Sequence, residues 1–238
     1  MTRAEERTTS ATGDPLLTRL RALSTSGVSD ALDRLGIPGQ ALGIAPLDRT
    51  FRLVGRAWTL RYGPVGRDRG TVGDYIDDIG PDEVVVLDNQ GRLDATVWGD
   101  LLTTTAHRRR VAGTVIDGVC RDVDRSLTLG YPIFSRGNWM RTGKDRVRVE
   151  DTQVPVSIGG IRVEPGDLLL GDGDGLVVVP AARAGEILTA AEQIEAAEEA
   201  IRAAVDAGAS LREARVRHRY HDLQHHVPDG GAGNGSGR

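Results

Sequence analysis

The 238-residue chain has a single cysteine, Cys120, and only one lysine, Lys144, among its 30 basic residues. One cysteine excludes an intrachain disulfide and a zinc site built from several cysteines. One lysine means that a Schiff-base mechanism would have to use Lys144, which lies in a polar stretch. Four of the five histidines lie near the C-terminus, and only His107 is in the body of the chain. A metal site should therefore consist of carboxylates, which favour Mg²⁺ or Mn²⁺.

The sequence also lacks the features of membrane and nucleic-acid-binding proteins. No apolar run approaches the roughly 20 residues of a membrane span. Residues 1–13 are polar and charged, without the apolar centre of a secretory signal. The formal net charge of −4 argues against a surface that binds phosphates. We expect a cytoplasmic protein that binds neither nucleic acid nor membrane.

The composition predicts one folded domain with a tail at each end. Hydrophobic residues make up 39% and charged residues 27% of the chain, as is typical of folded proteins of this length. We expect the domain to span residues 14–217. Residues 1–13 and the His/Gly-rich residues 218–238 are predicted to be flexible tails, because they cannot bury much apolar surface.

Hydrophobic periodicity predicts a mixed α/β fold. The predicted helices are Leu16–Leu35, Trp98–Arg110, Arg121–Leu129 and Ala181–Ala207. The predicted strands are Leu53–Arg61, Val84–Asp88, Gly113–Asp117, Val154–Ile158, Ile161–Val163, Leu168–Leu170 and Leu176–Val179. This order gives a central βαβ unit, a β-rich second half and a long C-terminal helix.

The central βαβ unit predicts where a ligand binds. Its helix begins near Gly99, and its second strand leads to Arg121 and Asp122, 22 residues beyond Gly99. A right-handed crossover places the ends of both strands at the same edge of the sheet, where α/β proteins bind ligands. We therefore expect these residues to lie close together.

The residues at this edge suggest a site for a small anion and a cation. Free N–H groups at the start of a helix attract an anion, and the Arg121 guanidinium matches a carboxylate. Asp100 and Asp122 have oxygens for a divalent cation or its waters. Together they predict binding of a 2-oxo acid. An alternative stays open, in which Asp122 caps a helix, Arg121 pairs with it at the surface and Asp100 only stabilises a helix start.

Two motifs and several flanking stretches resemble one known family. The motifs are Gly99-Asp100-Leu101-Leu102 and Asp117-Gly118-Val119-Cys120-Arg121-Asp122. The flanking stretches are Val28–Leu32, Gly55–Thr59, Tyr131–Gly137, Val163–Asp167 and Asp172–Pro180. They resemble the family that joins the 4-hydroxy-4-methyl-2-oxoglutarate aldolases to the regulator of ribonuclease activity A. The resemblance implies the swivelling β/β/α fold and a homotrimer or homohexamer with sites between subunits.

The resemblance also implies roles for the residues of the first two motifs. The substrate carboxylate would be held by Arg121 and by the backbone of Gly99, Asp100, Leu101 and Leu102. Asp122 would ligate Mg²⁺ or Mn²⁺ directly, and Asp100 would orient a metal-bound water.

A glutamate on the last helix of the neighbouring subunit would complete the site. The apolar residues of that helix are Ile187, Ala191, Ile194, Ile201 and Val205. Their spacing places Glu198 on the same face, which we expect to face another subunit, whereas Glu195 and Glu199 are less well placed. The alternative is that the apolar face shifts onto Ala197 and leaves Glu198 in solvent.

The function implied is that of a metal-dependent, class II lyase that acts on a 2-oxo acid. The reaction would be retro-aldol cleavage of a 4-hydroxy-2-oxo acid, decarboxylation of oxaloacetate, or both, because both pass through a pyruvate enolate. Two alternatives stay open. One is a non-enzymatic regulator that binds a ribonuclease or helicase, and the other is a specialised lyase or isomerase with the same enolate chemistry. Arg67 and Arg69 depart from the family pattern and are expected to influence substrate choice.

Overall fold

The computed structural model describes residues 13–66 and 73–218. The predicted tails lie outside this part of the chain, apart from Gly13 and His218. Arg67 and Arg69 lie outside it as well.

Helices and strands alternate in the first half of the chain, whereas most elements of the second half are strands. The α-helices in the described residues are α1 (Pro15–Arg21), α2 (Thr25–Arg34), α3 (Asp100–Arg108), α4 (Val123–Leu129), α5 (Ala184–Asp206) and α6 (Leu211–Arg217). Short 3₁₀ turns cover Asp74–Asp78 and Ala181–Arg183. The strands are β1 (Ala45–Pro46), β2 (Leu53–Pro64), β3 (Glu83–Thr96), β4 (Gly113–Val119), β5 (Ile133–Ser135), β6 (Val147–Thr152), β7 (Val156–Ile158), β8 (Ile161–Val163), β9 (Leu168–Asp172) and β10 (Gly175–Val179). In the described residues, no helix has both the length and the apolar content that crossing a membrane requires.

The predicted helix Leu16–Leu35 is wrong as a single element. Ser24 has extended backbone dihedral angles and its hydroxyl accepts a hydrogen bond from the N–H of Gly27, so that α2 begins after it. A serine at this position stabilises a new helix start instead of continuing the helix before it. The predicted long C-terminal helix begins at Ala184 instead of Ala181. Strands β1, β5 and β6 and helix α6 were not predicted.

The main sheet is mixed and nearly closed. Its strand order is β1-β5-β4-β3-β2-β9-β10, with β6 paired to β2, and the central pairs β2–β3, β3–β4 and β4–β5 are parallel. At one edge β1 pairs with β5. At the other edge, the segment just before β1 bonds to β10, through Ala41 N to Leu176 O at 3.0 Å. Residues 40–46 therefore connect the two edges of the sheet.

Alternation of side chains along the strands divides the core into an inner and two outer layers. Val84 and Val86 of β3 point into the inner layer, which the β7–β8 hairpin covers. Val85 and Leu87 point outward to the side that α3 and α4 cover. Helices α1, α2 and α5 pack over β9 and β10 on the remaining outer side. The predicted α/β class, with its central βαβ unit, β-rich second half and long C-terminal helix, is confirmed.

The apolar face of α5 packs inside its own chain. Ile187, Ala191 and Ile194 are buried against α1 and α2, and Ile201 is also buried. Val205 is exposed. The expectation that this face meets a neighbouring subunit is therefore wrong for its buried residues, because the chain's own helices cover them.

Candidate active site

The parallel pairing of β3 with β4 brings the predicted site residues together. Thr96, the last residue of β3, pairs with Val119, the last residue of β4. Directly beyond these strands, the N–H of Arg121 donates to the carbonyl of Trp98 at 2.9 Å. The start of α3 and the Arg121-Asp122 pair are consequently neighbours, as the spacing of the βαβ unit predicted.

A side chain at Gly99 would displace the Asp122 carboxylate from its present position. A Cβ atom on Gly99 would lie 2.7 Å from the Oδ2 of Asp122 and 3.2 Å from the Nε of Arg121. The backbone of Gly99 is extended, so its conformation alone does not demand glycine. The missing side chain is what allows both functional side chains to approach the start of α3.

Asp122 has a conformation that directs its carboxylate to α3. Its φ of 56° and ψ of 43° lie in the left-handed region, which aspartate tolerates better than most residues. The carboxylate accepts a hydrogen bond from the N–H of Asp100 at 3.1 Å and lies 3.4 Å from the Nε of Arg121. It makes no capping hydrogen bond to α4, the helix that it precedes. Asp122 therefore occupies the N-terminal cap position of α4 but does not cap the helix through its side chain, whereas the surface pairing with Arg121 that the alternative included is present.

Buried hydrogen bonds fix the turn between β3 and α3. The Thr96 hydroxyl donates to the carbonyl of Trp98 at 2.9 Å, and the indole N–H of Trp98 donates to the Thr103 hydroxyl at 2.9 Å. The Thr103 hydroxyl in turn donates to the carbonyl of Gly99. Trp98 is fully buried and stacks on Tyr131, with ring centroids 6.3 Å apart. These contacts hold the start of α3 in place before any ligand binds.

Two clefts meet at Arg121. The first has a volume of about 420 Å³ and is lined by the start of α3, Arg121, Asp74, Thr142 and Lys144. The second, of about 540 Å³, contains Arg121, Asp122, Asp124, Trp139 and Met140. About 40% of each of the Arg121 and Asp122 side chains is exposed, so a small ligand can reach both.

The helix start itself has unused hydrogen-bond donors. Gly99, at the N-terminal cap position, has no side chain to cap α3, and residues 99–102 line the first cleft. The N–H of Asp100 already binds the anionic carboxylate of Asp122. An anion is therefore bound at this helix start even without a ligand, as expected for the positive end of a helix dipole.

The residues around Asp122 fit a hard divalent cation that keeps most of its waters. No group of three or more His, Cys, Asp or Glu side chains in the described part of the chain could enclose a metal ion. Mg²⁺ is usually bound through only one or two carboxylates and retains several waters. Asp122, which lines the second cleft, is a carboxylate that would serve as such a ligand.

The predicted Glu198 lies in a different cleft of the same chain. This third cleft, of about 510 Å³, is lined by Arg21, Ser24, Arg52, Glu195 and Arg202 in addition to Glu198. Glu198 is partly buried and lies 3.7 Å from Arg202. Within one chain, therefore, Glu198 does not join Arg121 and Asp122.

The neighbouring glutamates have other contacts. Glu195 accepts hydrogen bonds from the N–H of Ser24 at 2.7 Å and from its hydroxyl at 2.6 Å, which ties α5 to the start of α2. Glu199 is exposed and pairs with Arg202 at 3.0 Å. Glu198 therefore remains the predicted contribution to a site between subunits.

Cys120 supports the site from the buried side. It is fully buried, and this burial raises the pKa of its thiol to about 11 despite a contact with Ser135. A protonated thiol is a poor nucleophile, so Cys120 acts as a small apolar residue before Arg121.

Thr142 and Lys144 line the first cleft but were not assigned to it from the sequence. They lie in the connection between β5 and β6, two strands without a clear hydrophobic period. The parallel bridge between Thr96 and Thr142 brings this connection to the end of β3. No local signal could have revealed that long-range pairing.

A family model described as RraA-like (Aldolase/RraA) matches residues 25–178. The chain therefore belongs to the RraA-like family. The matched region includes residues 99–102, Arg121 and Asp122, but not the glutamates of α5.

Two curated relatives differ in how much of their own length this chain covers. The chain is 39% identical over 209 residues to protein DlpA of Legionella pneumophila, a match that covers 86% of this chain and 34% of DlpA. This chain thus spans about a third of the length of DlpA. It is 33% identical over 184 residues to a candidate 4-hydroxy-4-methyl-2-oxoglutarate aldolase of Halalkalibacterium halodurans, with 77% of this chain and 85% of the relative covered.

Solved structures have the same fold. A Pseudomonas syringae protein of unassigned function superimposes with a TM-score of 0.79 at 43% identity, covering 84% of this chain and 96% of that one. RraAS2 of Streptomyces coelicolor, described as an unusual member of the RNase ES inhibitor RraA family, superimposes with a TM-score of 0.72 at 32% identity. That match covers 78% of this chain and 95% of RraAS2.

Proposed function

We propose that this chain is a lyase that uses a divalent metal to break a carbon–carbon bond next to the carbonyl of a 2-oxo acid. The observation that carries the proposal is the position of the Arg121 guanidinium beside the start of α3, where Gly99 has no capping side chain, with the Asp122 carboxylate 3.4 Å from Arg121. A cationic fork and free N–H groups suit a carboxylate. A neighbouring carboxylate suits a hard cation.

The chain's own residues would bind and orient the substrate. Arg121 would hold the substrate carboxylate in the plane of its guanidinium, and the N–H groups of Gly99, Leu101 and Leu102 would bind the same carboxylate. Such fixation directs the bond to be broken out of the carbonyl plane, where its electrons can delocalise. Mg²⁺ or Mn²⁺, when bound at Asp122, would supply Lewis-acid stabilisation of the charge that develops on the 2-oxo oxygen.

Asp100 would assist the proton transfer that accompanies bond cleavage. Its carboxylate is exposed at the start of α3, and its own N–H is held by Asp122. In retro-aldol cleavage, a water held by the Asp100 carboxylate would take the proton of the substrate 4-hydroxyl as the C–C bond breaks, and would return that proton to the enolate carbon of the product. In decarboxylation, CO₂ leaves and the same water would protonate the enolate carbon. The substrate would be a 4-hydroxy-2-oxo acid, oxaloacetate, or both.

A direct assay tests the proposal. The purified protein would be mixed with oxaloacetate and, separately, with 4-hydroxy-4-methyl-2-oxoglutarate, and pyruvate formation would be followed with Mg²⁺, Mn²⁺ or excess chelator. We expect activity with either metal and none with chelator. Full activity in excess chelator, or no pyruvate from either substrate with metal, would contradict the proposal.

We further propose that the sites are completed between subunits of a trimer or hexamer, with Glu198 of the neighbouring subunit near Asp122. The support is that Glu198 is partly buried in its own cleft and separated from Asp122 within one chain. A carboxylate there would assist Asp100 in the proton exchange.

Mixed oligomers test this arrangement. Asp122→Ala and Glu198→Ala chains would be unfolded together, refolded and assayed, with each variant refolded alone as a control. Recovery of activity above both controls is expected, because each chain supplies what the other lacks. No recovery in oligomers that mass measurement shows to be mixed would contradict it. Glu199→Ala serves as the matched variant and should retain activity.

The likeness to RraAS2 supports a second candidate function, binding and inhibition of a ribonuclease. The two functions are separable, because catalysis would need Arg121 whereas a protein-binding surface would not. If Arg121→Lys abolishes pyruvate formation and leaves ribonuclease inhibition unchanged, both functions are present. Inhibition without any lyase activity in the wild type would favour the regulator.

A further inference from the structure

The second cleft combines charged residues of the site with two exposed apolar side chains. Besides Arg121, Asp122 and Asp124, its lining contains Trp139 and Met140. Trp139 is 44% exposed and Met140 is 69% exposed. Exposed apolar surface that adjoins a few polar groups in a cleft is typical of a ligand-binding site.

Trp139 differs from the other two tryptophans of the chain. Trp58 and Trp98 are buried, and each stacks on a tyrosine, with ring centroids 5.6 and 6.3 Å apart. Within residues 13–66 and 73–218, no aromatic ring stacks on Trp139, and its indole N–H donates no hydrogen bond to another residue. The exposed part of this ring is therefore available to a ligand.

The backbone that carries Trp139 is bonded to the segment just before Arg121. The N–H of Trp139 donates to the carbonyl of Cys120 at 2.8 Å, and the N–H of Cys120 donates to the carbonyl of Gly137 at 3.2 Å. These bonds continue the parallel pairing of β4 and β5 beyond the ends of both strands. Trp139 thus follows the carboxyl end of a third parallel strand, at the sheet edge where Arg121 and Asp122 lie. Its position relative to them is set by the sheet.

The charges of the second cleft favour a neutral group beside Trp139. Asp122 and Asp124 contribute two negative charges to this cleft, and Arg121 contributes one positive charge. In the proposed function the substrate carboxylate uses Arg121 and the metal uses Asp122. Asp124 remains and would repel a further anion, whereas Trp139 and Met140 would bind an apolar group. A methionine adapts to the shape of such a group, and a tryptophan stacks on another ring.

We propose that Trp139 and Met140 bind an apolar, preferably aromatic, substituent on carbon 4 of a 4-hydroxy-2-oxo acid. The inference rests on the proposed function of the Arg121 site and adds the substrate class and the residue, Trp139, that selects it. In the reaction, the bond between carbons 3 and 4 breaks, and its electron pair forms the pyruvate enolate, which takes a proton at carbon 3. The 4-hydroxyl loses its proton, and carbon 4 leaves as an aldehyde or ketone that carries the apolar substituent.

The first experiment measures binding by calorimetry with Mg²⁺ and two acids that lack the 4-hydroxyl and therefore cannot undergo retro-aldol cleavage. 2-Oxo-4-phenylbutanoate has a phenyl group on carbon 4, whereas 2-oxopentanoate has a methyl group there, and the two acids have the same charge. In the wild type we expect the phenyl acid to bind about tenfold more tightly, because its ring becomes partly buried. Trp139→Ala should reduce this preference to less than about twofold. Trp139→Phe should keep most of it, because phenylalanine retains an aromatic ring.

Leu127→Ala is the matched control for the loss of an exposed apolar side chain. Leu127 lies on α4, is 42% exposed and is not part of the lining of the second cleft. This variant should keep the preference for the phenyl acid. An equal loss of preference in Leu127→Ala would mean that exposed apolar surface in general attracts the phenyl ring, which would overturn the proposal.

Tryptophan fluorescence gives a second test that does not depend on activity. Because Trp58 and Trp98 are buried, acrylamide should quench mainly the emission of Trp139 in the free protein. We expect 2-oxo-4-phenylbutanoate to slow this quenching about threefold, because a stacked ring covers the indole. 2-Oxopentanoate should slow it much less, and Trp139→Phe should show no difference between the two acids. If acrylamide quenches the free wild type no more than Trp139→Phe, another subunit already covers Trp139 and the proposal is overturned.

Turnover shows whether the same residue selects the substrate. Pyruvate formation would be compared between 4-hydroxy-2-oxo-4-phenylbutanoate and 4-hydroxy-2-oxopentanoate. Trp139→Ala should lower the ratio of the two kcat/KM values about tenfold, mainly through the KM of the phenyl substrate. An unchanged ratio would contradict the role of Trp139.

The outcomes separate this proposal from the one on which it rests. If 2-oxopentanoate binds in an Arg121-dependent manner but the phenyl acid binds no more tightly, the apolar subsite is overturned and the Arg121 site stands. If neither acid binds the wild type, both proposals are overturned.

Discussion

Two pairs of aspartates, one on the central strands and one just beyond their ends, differ in how completely their oxygens are hydrogen-bonded. Asp88 and Asp117 are register partners on β3 and β4, and both are buried. Asp88 accepts from the N–H of Ser157 at 3.2 Å, and Asp117 from the N–H of Gly159 at 3.0 Å. This pair thereby fastens the β7–β8 hairpin over the inner layer of the core.

Asp100 and Asp122 lie a few residues beyond the ends of the same strands, but they are exposed. Asp117 also has an ion pair with Arg136. Among the described residues, the hydrogen-bond and ion-pair partners of the Asp122 carboxylate are only the N–H of Asp100 and the Arg121 guanidinium. An aspartate in a family motif can therefore either stabilise the fold or bind a ligand. Its hydrogen bonds and its exposure distinguish these two roles. Buried, fully bonded carboxylates hold the fold, while exposed ones beside a cleft remain available for chemistry.

Substitution of Asp122 should have the largest effect on activity. Asp122→Asn keeps the hydrogen bond to the N–H of Asp100 and tolerates the left-handed backbone, but it loses the anionic oxygen. We expect kcat/KM for pyruvate formation to fall about 10³-fold, the upper range for a lost electrostatic contact, with an unchanged melting temperature. An Asn variant with nearly wild-type activity would assign Asp122 to the scaffold instead.

Arg121→Lys should have the next largest effect, because lysine keeps the charge and loses the fork. We expect kcat/KM to fall on the order of 10²-fold. This corresponds to a loss of about 3 kcal/mol of transition-state stabilisation, which is typical of a preorganised anion contact. Arg125→Lys is the matched control, since Arg125 is exposed on α4 and its guanidinium bonds only to Thr104 in the described residues. Wild-type kinetics in Arg121→Lys would show that Arg121 is an ordinary surface residue.

Asp117→Ala should affect stability instead of activity. It leaves Arg136 and the N–H of Gly159 without their partner in a mostly buried position. The free energy of unfolding should fall by about 2–3 kcal/mol, as measured by denaturant titration. The folded fraction should keep kcat/KM within about twofold. A selective loss of activity at full stability would place Asp117 in the catalytic site.

Substitution of Cys120 should have the smallest effect on activity, although Cys120 is adjacent to Arg121. Because burial raises the pKa of its thiol to about 11, the native protein should react with a thiol reagent at pH 8 far more slowly than the unfolded protein. Cys120→Ala should leave kcat/KM within about twofold. Rapid native reaction at pH 8 would contradict the buried, protonated state.

The same pKa shift predicts the direction of a pH effect on stability. The folded thiol binds its proton more tightly than the unfolded thiol, whose ordinary pKa is about 8.5. Relative to Cys120→Ala, the wild type should therefore lose stability as the pH rises from about 8.5 to about 11. A difference between the two proteins that does not change with pH would contradict this.

The parts of the fold that the sequence predicted are those with local signals. Val84–Val86 form a continuous apolar run that identifies a buried strand, and the spacing from Gly99 to Arg121 identified two segments that meet in space. Ser24 also has a local signal, but its role as a helix start was hidden by the amphipathic pattern on both sides of it.

The parts that were missed depend on distant contacts. Lys144 reaches the cleft only because Thr142 pairs with Thr96, far away along the chain. The apolar face of α5 was assigned to another subunit because a helical period shows that a face is buried, but not which helix covers it. Here the partners are α1 and α2.

The most direct test of the Arg121–Asp122 site is an anomalous diffraction measurement on crystals grown with Mn²⁺ and pyruvate. The account predicts a manganese peak at coordinating distance from the Asp122 carboxylate. It also predicts the pyruvate carboxylate between Arg121 and the N–H groups at the start of α3. Manganese bound away from Asp122, or pyruvate that makes no contact with Arg121, would contradict the account.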